Sequence, residues 1–301
     1  MFWLGAERHT LHSHAYSCQS IAPTGLNNGY CILPTAYAVG YDCVAPDGVL
    51  NMNTDTNYKR YLKLDLLPTP WCPGCGNGIV LKAVCQAFDE LSLPKEGTVI
   101  VSGIGCAGRS AGFFDLDSVH TAHGRAIPVA EGIKYANDAL TVVVLSGDGD
   151  LLGIGGNHLL HAIRRNTNIT VVCYANEIYG MTGGQVSPLT PHNAKTVTSP
   201  LGNADFPIDV QSYFKNRNSY FARTTAFHLN HLKKSIVEAL KFKGFSFVEA
   251  RTMCIVNYGR RVGYKNSHEM LMHYKEFYKV NDGVEELSQN EIGILRHTRG
   301  L

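Results

Sequence analysis

Residues 142–192 constrain the fold of this chain more than any other segment, because they combine strand-like runs with polar, glycine-rich turns. The apolar, largely β-branched run at residues 141–145 is typical of a buried parallel strand. A second such run covers residues 169–174, and the segment between the two runs has apolar residues at helical spacing. This strand–helix–strand order predicts an α/β fold with a mainly parallel sheet.

Oxygen-bearing side chains follow both runs. The sequence Gly-Asp-Gly-Asp occupies residues 147–150, and Asn176 comes directly after the second run. Because the carboxyl ends of parallel strands meet at one edge of a sheet, we expect Asp148 and Asn176 to share a crevice. With the carbonyl of Ile178 they offer the oxygen ligands that Mg²⁺ takes beside phosphate groups. Glycines in both turns would let backbone N–H groups approach a diphosphate.

A Gly-Asp-Gly motif alone equally fits a tight turn without any ligand. Here it is followed by Asn176 and then by Tyr-Gly-Met-Thr-Gly-Gly-Gln at residues 179–185. Together these motifs resemble thiamine diphosphate (TPP) enzymes and, more narrowly, the β subunits of 2-oxoacid:ferredoxin oxidoreductases. The resemblance implies a three-layer, pyrophosphate-type TPP-binding domain, with Mg²⁺ held by Asp148, Asn176 and Ile178. It implies cofactor contacts from Gly105, Cys106, His123, Gly124, Arg125, Gly147, Asp148, Gly149, Asp150, Asn176, Ile178, Tyr179, Gly180, Met181, Thr182 and Gly183.

Cysteines form a second pattern. Cys72 and Cys75 make a C-x₂-C pair within Trp-Cys-Pro-Gly-Cys-Gly, Cys106 follows a strand-like run at residues 98–102, and Cys254 follows another at residues 243–250. Four thiolates at one sheet edge can bind zinc or a [4Fe–4S] cluster, and the residues alone leave both open. The family resemblance implies the [4Fe–4S] cluster. Cys254 lacks the flanking prolines that are frequent in the family, so a packed core thiol is its alternative, and Cys85 and Cys173 are predicted core thiols.

The sequence His123-Gly124-Arg125 precedes a predicted helix. In the family the matching residues lie beside the cofactor, which implies that His123 is catalytic through a hydrogen bond to the diphosphate or the reacting carbonyl. Arg125 would neutralise charge. The alternative is that both residues only cap the helix and hold the loop.

Composition narrows the remaining possibilities. The chain has 301 residues, 45% of them hydrophobic and 17% charged, as in an ordinary globular protein. The net charge of +2 gives no reason to expect nucleic-acid binding, and no apolar run is long enough to span a membrane. The N-terminus lacks signal-peptide features, which favours the cytoplasm, where the nine cysteines stay reduced.

Three regions are predicted along the chain. Residues 1–67 have weak periodicity and are interpreted as an N-terminal arm, residues 68–256 as the TPP-binding domain, and residues 257–301 as a C-terminal arm. Within the domain, helices are predicted at residues 209–216 and 228–241 and a strand at 220–223. His9, His12, His14 and Cys18 would suit zinc, but they lack paired C-x₂-C spacing, so no role is assigned to them.

The resemblance also implies an activity: oxidative decarboxylation of a 2-oxoacid with TPP and coenzyme A, electrons passing through the cluster to ferredoxin. The substrate most consistent with the pattern is 2-oxoglutarate, giving succinyl-CoA, with reversal to fix CO₂ as an option. Pyruvate and other 2-oxoacids stay open. A partner α subunit would supply the activating glutamate on its pyrimidine-binding domain, in an (αβ)₂ assembly.

Two other classes of protein compete with this interpretation. One is a cluster-free TPP decarboxylase or synthase, whose cysteines bind zinc or nothing. The other is a non-catalytic iron–sulfur electron-transfer subunit, against which the Gly-Asp-Gly-Asp motif and Asn176 argue, because electron transfer needs no diphosphate site.

Overall fold

The computed structural model describes residues 57–215 and 217–295. The predicted N-terminal arm, residues 1–67, lies mostly outside these ranges, as do His9, His12, His14 and Cys18. Its last residues are described and pack on the domain. Tyr61 in this stretch is fully buried, and its hydroxyl lies 2.7 Å from the carbonyl oxygen of Leu93.

The described residues form one large sheet and one small hairpin. The strands are β1 (Thr98–Ser102), β2 (Asp117–His120), β3 (Thr141–Gly147), β4 (Thr170–Ala175), β5 (Ile178–Tyr179), β6 (Gln185–Val186), β7 (Tyr220–Thr225), β8 (Ser246–Arg251), β9 (Lys279–Val280) and β10 (Glu291–Ile294). The large sheet has eight strands in the order β2-β1-β3-β4-β8-β7-β10-β9, and β5 pairs with β6. The first six strands in this order run parallel to one another, whereas β10 pairs antiparallel with β7.

Helices cover both faces of the sheet. They are α1 (Asn77–Glu90), α2 (Ala126–Ala136), α3 (Gly156–Arg165), α4 (Leu229–Lys241) and α5 (Ser267–Phe277). Helices α1 and α4 pack together on one face, and α2 and α3 pack on the other. The result is a helix–sheet–helix arrangement in three layers.

The alternation of side chains along β3 explains why its sequence is continuously apolar. Val143 and Leu145 belong to the core beneath α1 and α4, while Val142 and Val144 belong to the core beneath α2 and α3. All four side chains are almost completely buried. A parallel strand covered on both sides has no polar face, so the period-2 pattern of a half-exposed strand is absent.

The predicted three-layer α/β fold with a mainly parallel sheet is confirmed, and the strand predicted at residues 98–102 has those bounds. The helix predicted at residues 209–216 is wrong in type, because this segment is a short 3₁₀-helix, Val210–Phe214. The strand predicted at residues 243–250 begins only at Ser246, and two further strands, β9 and β10, follow it along the chain. The segment predicted as a C-terminal arm therefore contributes to the sheet.

We expect Phe247→Ala to lower the free energy of unfolding by about 3–5 kcal/mol, the usual cost of deleting a buried phenyl ring. Phe247 lies fully buried in β8, with its ring centroid 5.8 Å from that of Phe214 and 6.2 Å from that of Phe221. Phe206→Ala is the matched control, because Phe206 is 78% exposed. Urea denaturation measures both variants, and similar losses would contradict the assignment of Phe247 to the core.

Candidate active site

The carboxyl ends of four neighbouring parallel strands bring the predicted site residues to one edge of the sheet. The register pairs Gly147 of β3 with Tyr174 of β4, and Ala175 of β4 with Arg251 of β8. Asp148 and Asn176 each follow directly after their strands, so they lie side by side. Cys106 after β1 and Cys254 after β8 reach the same edge.

Asp148 is a buried carboxylate, only 1% exposed. The hydroxyl of Ser187 donates to its Oδ2 at 2.6 Å. Within the described part of the chain, no Lys, Arg or His forms an ion pair with it. Burial therefore raises the pKa of Asp148 to about 7, with the nearby charge of Glu177 adding to the effect. An anionic oxygen in low dielectric without a cationic partner is a position that a divalent cation suits.

A fixed turn follows β4. The backbone N–H of Ile178 donates to Oδ1 of Asn176 at 3.2 Å. Between them, Glu177 has a φ of 64°, in the left-handed region that a residue with a Cβ seldom adopts. The hydroxyl of Thr190 donates to the carbonyl of Glu177 at 2.6 Å, and Nη1 of Arg251 donates to the carboxylate of Glu177 at 2.6 Å. These contacts hold the two predicted Mg²⁺ ligands of this turn in one arrangement.

A buried ion network supports this turn from beneath. The fully buried carboxylate of Glu249 accepts from Nε of Arg223 at 3.1 Å and lies 2.6 Å from Nε of Arg251. Burial alone would raise the pKa of Glu249, but the two guanidinium groups outweigh it and hold that pKa below its usual range. Arg251 thus connects β8, which leads to Cys254, with the Glu177 turn.

The side chain of Asp150 organises three segments. Its Oδ1 accepts from the backbone N–H of Ile104 at 3.1 Å and of Gly124 at 2.8 Å, and lies 2.5 Å from Nδ1 of His123. Its Oδ2 accepts from the hydroxyl of Ser146 at 2.8 Å. With both oxygens engaged inside the protein, the carboxylate acts on the site by positioning the loops after β1 and before α2.

His123 is oriented by this contact. Because a carboxylate can only accept, Nδ1 carries the proton in that hydrogen bond, and Nε2 is left for a partner outside the protein fold. The ring also packs edge-to-face against Tyr179, at a centroid distance of 6.1 Å. Arg125 is exposed, and its guanidinium reaches the carbonyl of Gly124 at 3.4 Å.

The glycines of the site serve two different needs. Gly105 and Gly183 have positive φ values of 107° and 110°, and an added Cβ at either would meet open space, which leaves their backbone accessible to a ligand. At Gly149, by contrast, a Cβ would lie 2.2 Å from the ring of Tyr179, whose hydroxyl donates to the Gly149 carbonyl at 2.9 Å. In the loop between β5 and β6, Met181 and Thr182 are exposed.

Two of the four predicted cluster ligands, Cys106 and Cys254, lie beside this loop, and Cys72 and Cys75 interact electrostatically with them. A Cβ added to Gly180 would lie 3.3 Å from Sγ of Cys254 and 3.9 Å from Sγ of Cys106. Burial, followed by the charges of the neighbouring thiols, raises the pKa of Cys75 to about 12. Burial and the charges of Cys106 and Cys72 likewise raise the pKa of Cys254 to about 11. The cysteine site therefore adjoins the glycine-rich loop.

Four thiols are the donor set of a [4Fe–4S] cluster or of a single Zn²⁺ ion. No three His, Cys, Asp or Glu side chains in the described ranges converge as they would around one metal ion. Backbone N–H groups of Asn77, Asn257 and Tyr258 lower the pKa of the adjacent thiols, as expected where amides donate to cluster sulfurs.

The remaining cysteines in the described ranges are core thiols, as the sequence predicts. Cys85 in α1 and Cys173 in β4 are both fully buried, on opposite faces of the sheet.

Comparison with known proteins first defines the class. Residues 103–250 match the family described as thiamine pyrophosphate enzyme, C-terminal TPP binding domain. The chain is 44% identical over 242 residues to the 2-oxoglutarate synthase subunit KorB of Archaeoglobus fulgidus, covering 79% of this chain and 88% of the relative. It is 40% identical to the 2-oxoacid:ferredoxin oxidoreductase subunit beta of Saccharolobus solfataricus, covering 70% of this chain and 68% of that subunit.

A solved structure agrees. The 2-oxoglutarate:ferredoxin oxidoreductase from Magnetococcus marinus, with 2-oxoglutarate, coenzyme A and succinyl-CoA bound, matches with a TM-score of 0.71 at 30% identity, over 82% of this chain and 87% of that one. The chain belongs to the family of 2-oxoacid:ferredoxin oxidoreductase β subunits, which confirms the resemblance seen in its motifs. A β subunit implies an α partner. Among the described residues, no helix has the length and apolar character needed to cross a membrane.

Several residues of the site are absent from the sequence-based prediction. Ser187, the hydrogen-bond donor to Asp148, belongs to the Ser-Pro pair just after the glycine-rich run, so a signal for it exists. Ser146 and Glu177 directly flank predicted residues. Arg251 carries no local signal, because its role depends on the pairing of β4 with β8.

We expect Asp148→Asn to stabilise the chain in a chelating buffer above pH 7. The pKa of Asp148 is higher folded than unfolded, so the wild type loses stability as pH rises from about 4 to about 7. The variant avoids this loss, and its advantage should grow from near zero at pH 4 to about 2–4 kcal/mol at pH 8.

Asp282→Asn is the control of opposite sign. Burial raises the pKa of Asp282, but hydrogen bonds from Lys234 and His231 outweigh it and lower the pKa to about 2. Its ionised form therefore stabilises the fold above pH 4, and the variant should be less stable at pH 8. Urea titrations at pH 4 and pH 8 measure both, and a constant gap for Asp148→Asn would contradict the buried-charge explanation.

Proposed function

We propose that this chain is the β subunit of a 2-oxoglutarate:ferredoxin oxidoreductase, in which it binds the diphosphate end of TPP and a [4Fe–4S] cluster. The single observation that carries the proposal is that Asp148, Asn176, Cys106 and Cys254 all follow parallel strands that end at one sheet edge, where a Cβ added to Gly180 would lie 3.3 Å from Sγ of Cys254. The assembly would be a cytoplasmic (αβ)₂ complex that converts 2-oxoglutarate and coenzyme A to succinyl-CoA and CO₂ and reduces ferredoxin.

The diphosphate end of the cofactor would be bound by the carboxyl-edge turns. Asp148, Asn176 and the carbonyl of Ile178 would hold Mg²⁺, and the buried charge of Asp148 supports this because a cation would neutralise it. The accessible backbone at Gly105 and Gly183 supports close approach of phosphate oxygens. TPP, when bound, would supply the carbanion chemistry by which a 2-oxoacid loses CO₂.

The cysteine site would hold the electron carrier. Cys72, Cys75, Cys106 and Cys254 would ligate a [4Fe–4S] cluster, which supplies one-electron transfer. A Cβ added to Gly180 would lie 3.3 Å from Sγ of Cys254 and 3.9 Å from Sγ of Cys106, and this closeness of the glycine-rich loop to the cysteines supports a short path between the two cofactors.

His123 would act toward the substrate. With Nδ1 engaged by Asp150, its Nε2 is free to hydrogen-bond the diphosphate or the substrate carbonyl. Arg125 would add positive charge near the loop. No glutamate of this chain is assigned the task of activating the cofactor, and the α subunit would supply it together with the pyrimidine-binding domain.

The choice of 2-oxoglutarate rests on similarity. The relative from Archaeoglobus fulgidus, 44% identical, is a 2-oxoglutarate synthase subunit, and the matching structure was determined with 2-oxoglutarate bound. The second candidate for the substrate is another 2-oxoacid, because the 40% identical subunit from Saccharolobus solfataricus is described only as a 2-oxoacid:ferredoxin oxidoreductase subunit.

The test is viologen reduction by the co-purified αβ complex with coenzyme A. We expect kcat/KM for 2-oxoglutarate to exceed that for pyruvate at least about ten-fold, because a hydrogen bond to the charged second carboxylate is worth about 1.5–3 kcal/mol. A preference for pyruvate would mean that pyruvate, and not 2-oxoglutarate, is the substrate. Release of CO₂ without any viologen reduction would favour a cluster-free TPP enzyme.

The cluster has its own test. We expect anaerobically purified complex to contain four irons and four sulfides per β chain, as the composition of a [4Fe–4S] cluster requires. Cys254→Ala should abolish the visible absorption and retain bound TPP, whereas Cys85→Ala, in the buried core, should keep both. Full iron content in the Cys254→Ala variant would remove Cys254 from the ligand set.

A further inference from the structure

We propose that an exposed basic turn beside the cysteine site is the docking surface for an acidic ferredoxin. The basic turn is residues 260–266, which connect the π-helix Ile255–Gly259 to α5. This inference rests on the proposed function, since it names the surface through which electrons would leave the cluster.

Both ends of the basic turn contact the cysteine loops. The π-helix begins directly after Cys254, and the backbone N–H groups of Arg260 and Arg261 donate back into it, to the carbonyls of Ile255 and Tyr258 at 3.1 and 2.8 Å. At the other end, α5 begins against the C-x₂-C loop. A Cβ added to Gly74, between Cys72 and Cys75, would lie 2.5 Å from Cβ of Ser267. The turn therefore lies at the border of the cysteine site.

The charge of the basic turn is not compensated locally. Arg260, Arg261 and Lys265 are exposed, and residues 256–268 contain no Asp or Glu. None of the three cations forms an ion pair with any residue in the described ranges. The adjacent Glu269 lies in the first turn of α5, where its carboxylate accepts from the backbone N–H of Lys265 at 2.7 Å. Other surface cations, such as Lys95 and Lys215, do have carboxylate partners.

The surroundings suit brief contact with a protein. Cys72 is exposed, and Val256 on the π-helix is an apolar side chain with 37% exposure. A small exposed apolar side chain close in sequence to three like charges suits the low-area interfaces of transient redox complexes. Uncompensated positive charge speeds encounter with a negatively charged partner by about 10–10³-fold. An acidic ferredoxin would thus be steered to the position nearest the cysteines.

The experiment uses the complete αβ complex carrying R260E/R261E/K265E. We expect kcat/KM for an acidic ferredoxin to fall at least about ten-fold at low ionic strength, with the gap to wild type narrowing as salt screens the charges. Reduction of methyl viologen, a small dication that positive charge does not attract, should not fall. A variant with glutamine at the three positions should lose less than the glutamate variant.

The matched control is R164E/K241E/K243E. These residues are exposed and lie at the ends of α3 and α4, ahead of β4 and β8, and therefore at the opposite edge of the sheet. The change in net charge is the same, so an equal loss of ferredoxin reduction in the control would overturn the proposal. Three results with R260E/R261E/K265E would also overturn the proposal: unchanged ferredoxin kinetics, an equal loss of viologen reduction, or loss of the α subunit on gel filtration. Failure of the proposed function shows separately, as absence of viologen reduction in the wild type.

Discussion

Parallel pairing of β1, β3, β4 and β8 is the constraint on which the rest of the structure depends. Parallel strands need a crossover through a helix, so each strand begins at one edge and ends at the other. Every residue that follows one of these strands is thereby delivered to the same edge. This pairing brings into one region four residues that are far apart in sequence, namely Cys106, Asp148, Asn176 and Cys254.

The parts of the molecule that could be predicted are those with a local signal. Buried strands such as β1 and β3 appear as apolar, β-branched runs because helices cover both of their faces. The motifs at Asp148 and at the C-x₂-C pair place polar atoms and glycines at turns where a ligand would bind. Knowing only that one strand precedes Asp148 and another precedes Asn176 is enough to expect these two side chains at one edge, which the register of β3 and β4 confirms.

The parts that could not be predicted depend on contacts distant in sequence. The carboxylate of Asp150, a predicted cofactor contact, also holds Ile104, His123 and Gly124, and no spacing along the chain indicates this role. The edge strand β2 is exposed throughout and has no apolar pattern. Strand β10 is only four residues long, and its place beside β7 follows from tertiary pairing.

Glu177 illustrates what fixing a ligand-binding turn requires. Its left-handed backbone costs roughly 1–2 kcal/mol, which glycine would avoid. A glycine would also remove the carboxylate that Arg251 engages, and the turn would then be free to sample other shapes. Glu177 thus combines a strained backbone with side-chain and carbonyl contacts that restrain the turn between Asn176 and Ile178. If Asn176 and Ile178 hold a metal ion as proposed, the strained backbone of Glu177 fixes their positions before the ion binds.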